Sequence, residues 1–188
     1  MNDERAVVYL GLGSNLGDRR RNLAEALRRL PPLVQVLAVS SLYETQPVGP
    51  QEQPLFYNAA CRGVTGLPPL ELLRHVKQIE HDLGRRPDGG PGRRPPVRAS
   101  ERWGPRPIDI DVLLYGDSVI DEANLRVPHV ELANRAFVLV PLAELAADLR
   151  HAELGRTIGE IADAIDRSGV QKRAASGWEQ GEAEELSG

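Results

Sequence analysis

The stretch ERWGPRPIDIDVLLYG, residues 101–116, combines the alternation of a β-strand with two acids placed two apart, Asp109 and Asp111. Because side chains alternate along a strand, both carboxylates project from one face, about 7 Å apart, and Ile108 and Ile110 fill the opposite face. A desolvated carboxylate is costly unless it is paired or bound to metal. The pattern fits either the polar face of an edge strand or a Mg²⁺ site shared with phosphate oxygens, and the spacing alone leaves both open.

An arginine-rich segment leads into this strand. Residues 85–106 contain seven arginines, whereas the only lysines of the chain are Lys77 and Lys172. Guanidinium groups suit planar, two-pronged binding of phosphate or carboxylate. The alternative is a solvated loop in an arginine-rich protein.

The composition indicates one soluble domain. The chain has 188 residues, of which 41% are hydrophobic and 27% charged, enough for a single sizeable core. Its net charge of −4 argues against a nucleic-acid partner. Cys61 is the only cysteine, which excludes an internal disulfide and a cysteine cluster for zinc. No signal peptide and no run of about 18 apolar residues is visible, so we expect a cytoplasmic protein without a membrane partner.

The order of secondary-structure elements predicts the fold. Strands are expected at 6–13, 34–45, 56–65 and 108–116, and helices from an Asp18 cap to Pro31, at 68–84, at 129–132, at 136–146 and at 157–165. The order strand, helix, strand, strand, helix, strand predicts an α+β ferredoxin-like sandwich with a mainly antiparallel sheet. We expect one domain over 1–165 and a disordered acidic tail over 166–188.

Known phosphate-binding loops are absent from the sequence. The segment YLGLGSNLGD places Gly11 and Gly13 in the dinucleotide pattern, but the third glycine position holds Leu16. No glycine-lysine pair exists, so the Walker pattern fails as well. A tight strand-to-helix turn over 11–17 is the favoured interpretation.

Two further residues remain ambiguous from their types alone. His129 is either a hydrogen-bonded structural residue or, with Arg126 and Arg135, a grip on an anionic group. Trp103 is either a packing residue or a flat surface for a ring.

Several collinear blocks resemble a known family. They are YLGLGSNLGD, SSLYETQPVGPQEQPLFYNAA, KQIEHDLGR, ERWGPRPIDIDVLLYG and VPHVELANRAFVLVPLAEL, spread over about residues 7–146. RWGPRPIDIDVLLYG is the most specific of them. The chain resembles the 6-hydroxymethyl-7,8-dihydropterin pyrophosphokinases, folate-pathway enzymes that transfer pyrophosphate from ATP to a pterin alcohol.

The resemblance implies a role for each matching residue. It implies that Asp109 and Asp111 bind two Mg²⁺ ions, which bridge the triphosphate of the co-substrate ATP to the acceptor hydroxyl. The implied pterin pocket consists of Thr45, Pro47, Val48, Phe56, Asn58, Trp103 and Phe137. The implied nucleotide side consists of Lys77, Glu80, Arg98, Trp103, Arg106, Val112, His129 and Arg135. Arg98 and Arg106 fall in a long mobile catalytic loop, 85–106. The resemblance implies that these two arginines and the two acids are the catalytic residues. A monomer is expected.

The sequence departs from the family pattern in places. PDGGPGRRPPV, residues 87–97, lengthens the loop, so Arg93 or Arg94 could take the role of Arg98. Gln46 stands where proline is common, Phe56 where tyrosine is common, and Val130 where an aromatic is common. These changes alter packing or a hydrogen bond rather than abolish binding.

Two other functions remain to be weighed. A nucleotidyl- or phosphoryl-transferase could use the same acids on another small alcohol, and pyrophosphate transfer differs from it by releasing AMP. A non-catalytic ferredoxin-like binding module would bind its ligand without magnesium and without turnover. A binding scaffold needs no acidic pair, which disfavours the module.

Overall fold

An antiparallel sheet forms the frame of the molecule. The computed structural model describes residues 5–47, 53–85 and 104–180. The strands are β1 (Ala6–Ser14), β2 (Val34–Val39), β3 (Leu42–Thr45), β4 (Phe56–Thr65), β5 (Asp109–Tyr115), β6 (Ile120–Glu122), β7 (Leu125–Val127) and β8 (Val170–Ala174). The helices are α1 (Arg19–Arg29), α2 (Pro69–Asp82), α3 (Ala136–Ala146) and α4 (Ile158–Ala164).

The strand order confirms the ferredoxin-like prediction. The sheet runs β5-β1-β4-β3-β8, with β2 also paired to β4, and every pairing is antiparallel. Strands β6 and β7 form a separate hairpin. Helices α1 and α2 share one core with one face of the sheet, and α3 and α4 share a second core with the other face. The outer helices α3 and α4 leave part of that second face uncovered at the site described below.

The first two helices begin and end where the sequence predicts. The Asp18 side chain accepts a hydrogen bond from the Arg21 amide and caps α1. Helix α2 has Pro69 at its first position, buries an apolar stripe, and is followed by Gly84 at a φ of 91°, which a side chain would disfavour. These local signals set where both helices begin and end.

Two expected elements differ in the structure. The strand predicted over 34–45 is two strands, β2 and β3, because side chains take part in the hydrogen bonding at Ser40 and Ser41 between them. The Ser40 hydroxyl accepts a hydrogen bond from the Ala60 amide at 2.8 Å, and the Ser41 amide donates to Glu144 of α3 at 2.6 Å. The helix expected at 129–132 is a single 3₁₀ turn at Leu132–Asn134.

The expected disorder from residue 166 is corrected over 166–180. Strand β8 pairs with β3, and beyond it Trp178 is 5% exposed. Its indole nitrogen donates to the Ser40 carbonyl at 2.9 Å, and Arg20 of α1 donates to the Trp178 carbonyl at 2.7 Å. One edge strand and one buried indole therefore anchor a segment whose polar composition suggested no structure; 181–188 lie outside the described residues.

Replacing Trp178 with Ala should destabilise the protein by about 3–5 kcal/mol, the usual cost of deleting a large buried aromatic side chain. The loss of the bond to the Ser40 carbonyl adds to that cost. Urea denaturation of the purified variant measures the effect. Leu154→Ala is the control, because Leu154 is 50% exposed and should change stability by no more than about 0.5 kcal/mol. A loss below about 1 kcal/mol for Trp178→Ala would contradict the packing described here.

Candidate active site

A pocket opens on the sheet face that α3 and α4 leave partly uncovered. Its floor is made by β1, β4 and β5, and the start of α3 and the end of β3 form its walls. The lining residues include Gly11, Gly13, Thr45, Gln46, Pro47, Gln53, Phe56, Asn58, Arg106, Asp109, Asp111, Arg135 and Phe137. The structure thus brings together residues from most of the sequence blocks that carry the family resemblance.

One row of residues crosses the floor of the pocket. Asp109 on β5 pairs in register with Gly13 on β1, and Gly13 pairs in register with Asn58 on β4. Since neighbouring strands lie about 4.8 Å apart, an acid and an amide stand about 10 Å apart with no side chain between them. A Cβ atom on residue 13 would lie 3.1 Å from the Asn58 amide oxygen, so glycine keeps this space open. The gap is wide enough to admit part of a small-molecule substrate.

The two acids share the pocket face of β5, as their spacing predicts. Asp109 and Asp111 both line the pocket, whereas Ile110 between them is fully buried on the other side. The Asp111 side chain is 42% exposed and that of Asp109 20%. Both carboxylates are therefore accessible from the pocket rather than turned into the core.

Basic side chains surround the acidic pair. The Arg106 Nε atom lies 3.2 Å from Asp109 Oδ2, Arg85 forms a second ion pair with Asp109, and the Lys77 Nζ atom lies 3.8 Å from Asp111 Oδ1. These three cations come from α2, from the residues after it and from the approach to β5. They concentrate positive charge where a polyphosphate would need it.

Buried Glu80 organises two of these cations. Its carboxylate, on α2, accepts hydrogen bonds from Lys77 at 2.8 Å and from the Ile110 amide at 2.6 Å, and it lies 2.6 Å from Arg85. The Ile110 carbonyl also accepts a hydrogen bond from Lys77, at 2.9 Å. Glu80 thus fixes α2 against β5 and sets the positions of Lys77 and Arg85.

The acids of the pocket are not electrostatically equivalent. Burial raises the pKa of Asp109, but Arg106 and Arg85 outweigh burial and hold that pKa below its usual value. Burial and the charge of Asp109 raise the pKa of Asp111 above its usual value. A divalent cation bound beside both would favour the charged form of each.

The other end of the pocket suits a flat polar ring. Asn58 is 4% exposed and its amide donates to the Thr45 hydroxyl at 2.7 Å. Phe56 and Phe137 line the same space and offer aromatic faces. An amide carries both donors and acceptors, so Asn58 can read the polar edge of a heterocycle.

Several predicted site residues occupy other positions. The Val112 side chain is buried in the core under α1 and α2, so it can meet a ligand only through its backbone. His129 does not line the pocket; its amide donates to the Leu113 carbonyl at 3.0 Å, and its ring nitrogen Nδ1 accepts from the Glu131 amide at 3.3 Å. It still lies on the side of β5 that carries Asp111, close to that carboxyl. Val48, Arg98 and Trp103, with the alternatives Arg93 and Arg94, lie outside the described residues.

Two residues absent from the predicted site hold it together. Asn15 is 1% exposed, and its side-chain oxygen accepts a hydrogen bond from the Arg106 backbone amide at 2.8 Å. The backbone amide of Asn15 donates to the Arg106 carbonyl at 3.1 Å. Its side chain also donates to Gln53 at 3.2 Å. In the sequence, Arg85 is marked only as one arginine of the arginine-rich segment. The sequence indication for Asn15 is weaker still, an amide side chain placed directly after a buried strand.

These contacts define a class of enzyme. Paired carboxylates accessible from a pocket, with cations beside them and aromatic rings opposite, suit transfer of a phosphate-containing group to a ring-bearing acceptor.

Comparisons with known proteins give the family. The model of the 7,8-dihydro-6-hydroxymethylpterin-pyrophosphokinase family matches residues 9–147. The 2-amino-4-hydroxy-6-hydroxymethyldihydropteridine pyrophosphokinase of Pseudomonas aeruginosa is 41% identical over 168 residues, which cover 88% of this chain and 95% of that protein. Its counterpart in Haemophilus influenzae is 41% identical over 145 residues, covering 76% of this chain and 83% of that protein. The chain belongs to this pyrophosphokinase family.

A solved structure agrees on the fold. Plasmodium falciparum HPPK-DHPS A437G with SDX-DHP superposes with a TM-score of 0.65 at 18% identity. The match covers 85% of this chain and 45% of that longer one. Within residues 5–47, 53–85 and 104–180, no helix is long and apolar enough to cross a membrane.

Proposed function

We propose that the pocket carries out the reaction of the family, with Asp109 and Asp111 as metal ligands and Arg106 as the cation that stabilises the transferred group. The enzyme transfers pyrophosphate from ATP to the hydroxymethyl group of 6-hydroxymethyl-7,8-dihydropterin, releases AMP and serves folate biosynthesis. The observation that supports the proposal is the row Asp109, Gly13, Asn58, in which an acid and an amide lie on either side of one open gap.

The donor set fits magnesium. Among the described residues, no group of three or more His, Cys, Asp or Glu side chains could hold a metal ion. Mg²⁺ is usually held by one or two carboxylates together with substrate phosphates and water, so two pocket-facing acids are the expected protein share. When bound, Mg²⁺ would neutralise and orient the triphosphate. We propose two ions, as the sequence resemblance implies.

The protein residues supply positioning and charge. Asn15 fixes the backbone of Arg106 through two hydrogen bonds, and the Arg106 Nε atom lies 3.2 Å from the Asp109 carboxylate. Phosphoryl-type transfer needs little covalent help and depends on alignment of the attacking oxygen and on fixed positive charge. We assign Arg106 to the charge that develops on the transferred group, and Arg85 and Lys77 to support of the two acids.

The pterin ring is assigned to the opposite end of the pocket. Asn58, held by Thr45, reads the polar edge of the ring, and Phe56, Phe137 and Pro47 supply apolar surface. On the nucleotide side we assign Lys77, Glu80, His129 and Arg135, with contact to Val112 through its backbone. Val48, Arg98 and Trp103 keep the roles that the resemblance implies. The monomeric state and the cytoplasmic location also stay predictions.

Product analysis tests the proposal. Incubation of the purified chain with ATP, Mg²⁺ and 6-hydroxymethyl-7,8-dihydropterin should release AMP in a one-to-one ratio with the pyrophosphorylated pterin. Chromatography of the nucleotides measures it, and a reaction containing EDTA in place of Mg²⁺ is the control. ADP or free pyrophosphate as the product would favour a different phosphoryl- or nucleotidyl-transferase. Magnesium-independent pterin binding without turnover would favour a binding module.

A further inference from the structure

Glu44 is a buried carboxylate that the reaction does not use. It lies on β3, is 8% exposed, and neighbours Thr45 of the pocket. In register, Thr45 pairs with Phe56 and Glu44 pairs with Tyr57. Because directly opposed residues of a sheet share a face, Thr45 and Phe56 face the pocket, and Glu44 and Tyr57 lie behind it.

Arg19, the first residue of α1, links Glu44 to both neighbours of Phe56. Its guanidinium bonds to the Glu44 carboxylate at 3.0 Å and donates to the Leu55 carbonyl at 2.8 Å. The same guanidinium carbon lies 3.8 Å from the centre of the Tyr57 ring, a close cation–π contact. One side chain therefore fixes the chain immediately before and immediately after the pocket residue Phe56.

Arg173 of β8 holds the other oxygen of Glu44. Its Nε atom donates to Glu44 Oε2 at 2.8 Å, and the strand β8 pairs with β3 beside it. This arginine lies beyond residues 9–147, the span that matches the family model. The C-terminal segment thus reaches the strand that carries Thr45 of the pocket.

The carboxylate is ionised in this setting. Burial raises the pKa of Glu44, but hydrogen bonds and charge from Arg173 and Arg19 outweigh burial and hold the pKa below its usual value. A buried charge that loses one partner is strongly destabilised, so the three side chains depend on each other.

We propose that Arg19, Glu44 and Arg173 are positioning residues that hold Phe56 and Thr45 in place and thereby set the affinity for the pterin. This inference rests on the proposed assignment of those two pocket residues to the ring. The two acids lie on β5, across β1 from the strand that carries Phe56. The guanidinium carbon of Arg106 lies 5.7 Å from the centre of the Phe56 ring, but Arg106 is held independently by the hydrogen bonds between its backbone and Asn15. We therefore expect the main effect on the affinity for the pterin.

Arg19→Gln tests the proposal through the separate kinetic constants. The KM for the pterin should rise about tenfold, as for the loss of one well-placed contact, while kcat and the KM for ATP stay within about twofold. Arg19→Lys keeps the charge and the contact with the Tyr57 ring and should recover most of the affinity. Arg29→Gln is the matched control, since Arg29 lies on the same helix but pairs with Glu25 at the surface. It should change none of the constants.

Arg173→Gln provides an independent test from the other side of Glu44. It should raise the KM for the pterin as well, and the double variant with Arg19→Gln should be non-additive, because both arginines act on one carboxylate. Thermal unfolding of every variant is recorded alongside.

An unchanged pterin KM in a variant of lowered melting temperature would overturn the proposal, as would equal rises in the KM of both substrates. If Arg19→Gln does not fold, Arg173→Gln, whose side chain is 47% exposed, decides the outcome. These results differ from a failure of the proposed function, in which the unaltered chain would release no AMP.

Discussion

Asp111→Asn should lower kcat about a thousandfold at saturating ATP and Mg²⁺, while leaving the protein at least as stable as the parent chain. The rate falls because a neutral amide holds Mg²⁺ poorly and the triphosphate loses the charge that aligns it. Stability does not fall, because burial and the charge of Asp109 raise the pKa of Asp111, so its ionised form is disfavoured in the folded state. Loss of activity without loss of stability separates a functional acid from a structural one.

Steady-state kinetics over a range of Mg²⁺ concentrations and thermal unfolding measure the two halves of this prediction. Asp117→Asn is the matched control, since Asp117 is exposed in the turn directly after β5 and the chemical change is the same. Asp109→Asn should lose activity to a similar degree. An Asp109→Asn variant with an unchanged rate at saturating Mg²⁺ would exclude both metal binding and proton removal by Asp109. A fully active Asp111→Asn variant would exclude Asp111 as a ligand.

Local sequence signals were enough to predict the central sheet and the acidic pair. The alternation around Ile110 has a period of two, which places Asp109 and Asp111 on one face whatever the rest of the chain does. The Asp18 cap and the stripe of α2 act within one or two turns of helix. The order of these elements then restricts the topology to very few arrangements.

Features that depend on distant residues could not be predicted in this way. The break between β2 and β3 depends on Glu144, which bonds to Ser41 from 103 positions away. Strand β8 forms because β3 offers it an edge and Ser40 offers a carbonyl to Trp178, neither of which its own composition indicates. The roles of Asn15 and Arg85 likewise appear only when their partners are brought close. A buried amide requires hydrogen-bond partners, but the sequence alone does not identify which residues those partners are.

Arg106→Ala should lower kcat about 100- to 1000-fold, the usual cost of removing one fixed group that stabilises transition-state charge. It should also move the acidic limb of the pH–rate profile to higher pH. After burial, which raises it, the charge of Arg106 is the largest single influence on the pKa of Asp109 and lowers it, so without Arg106 a smaller fraction of Asp109 is ionised at a given pH. Arg106→Lys keeps the charge but not the planar fork, and should recover only part of the rate. Arg74→Ala, at an exposed position of α2, is the control and should leave kcat and the profile unchanged. An Arg106→Ala variant whose rate stays within threefold of the parent rate at every pH would show that Arg106 takes no part in the reaction. A large loss of rate with an unchanged pH–rate profile would show that the contact between Arg106 and Asp109 does not contribute to catalysis.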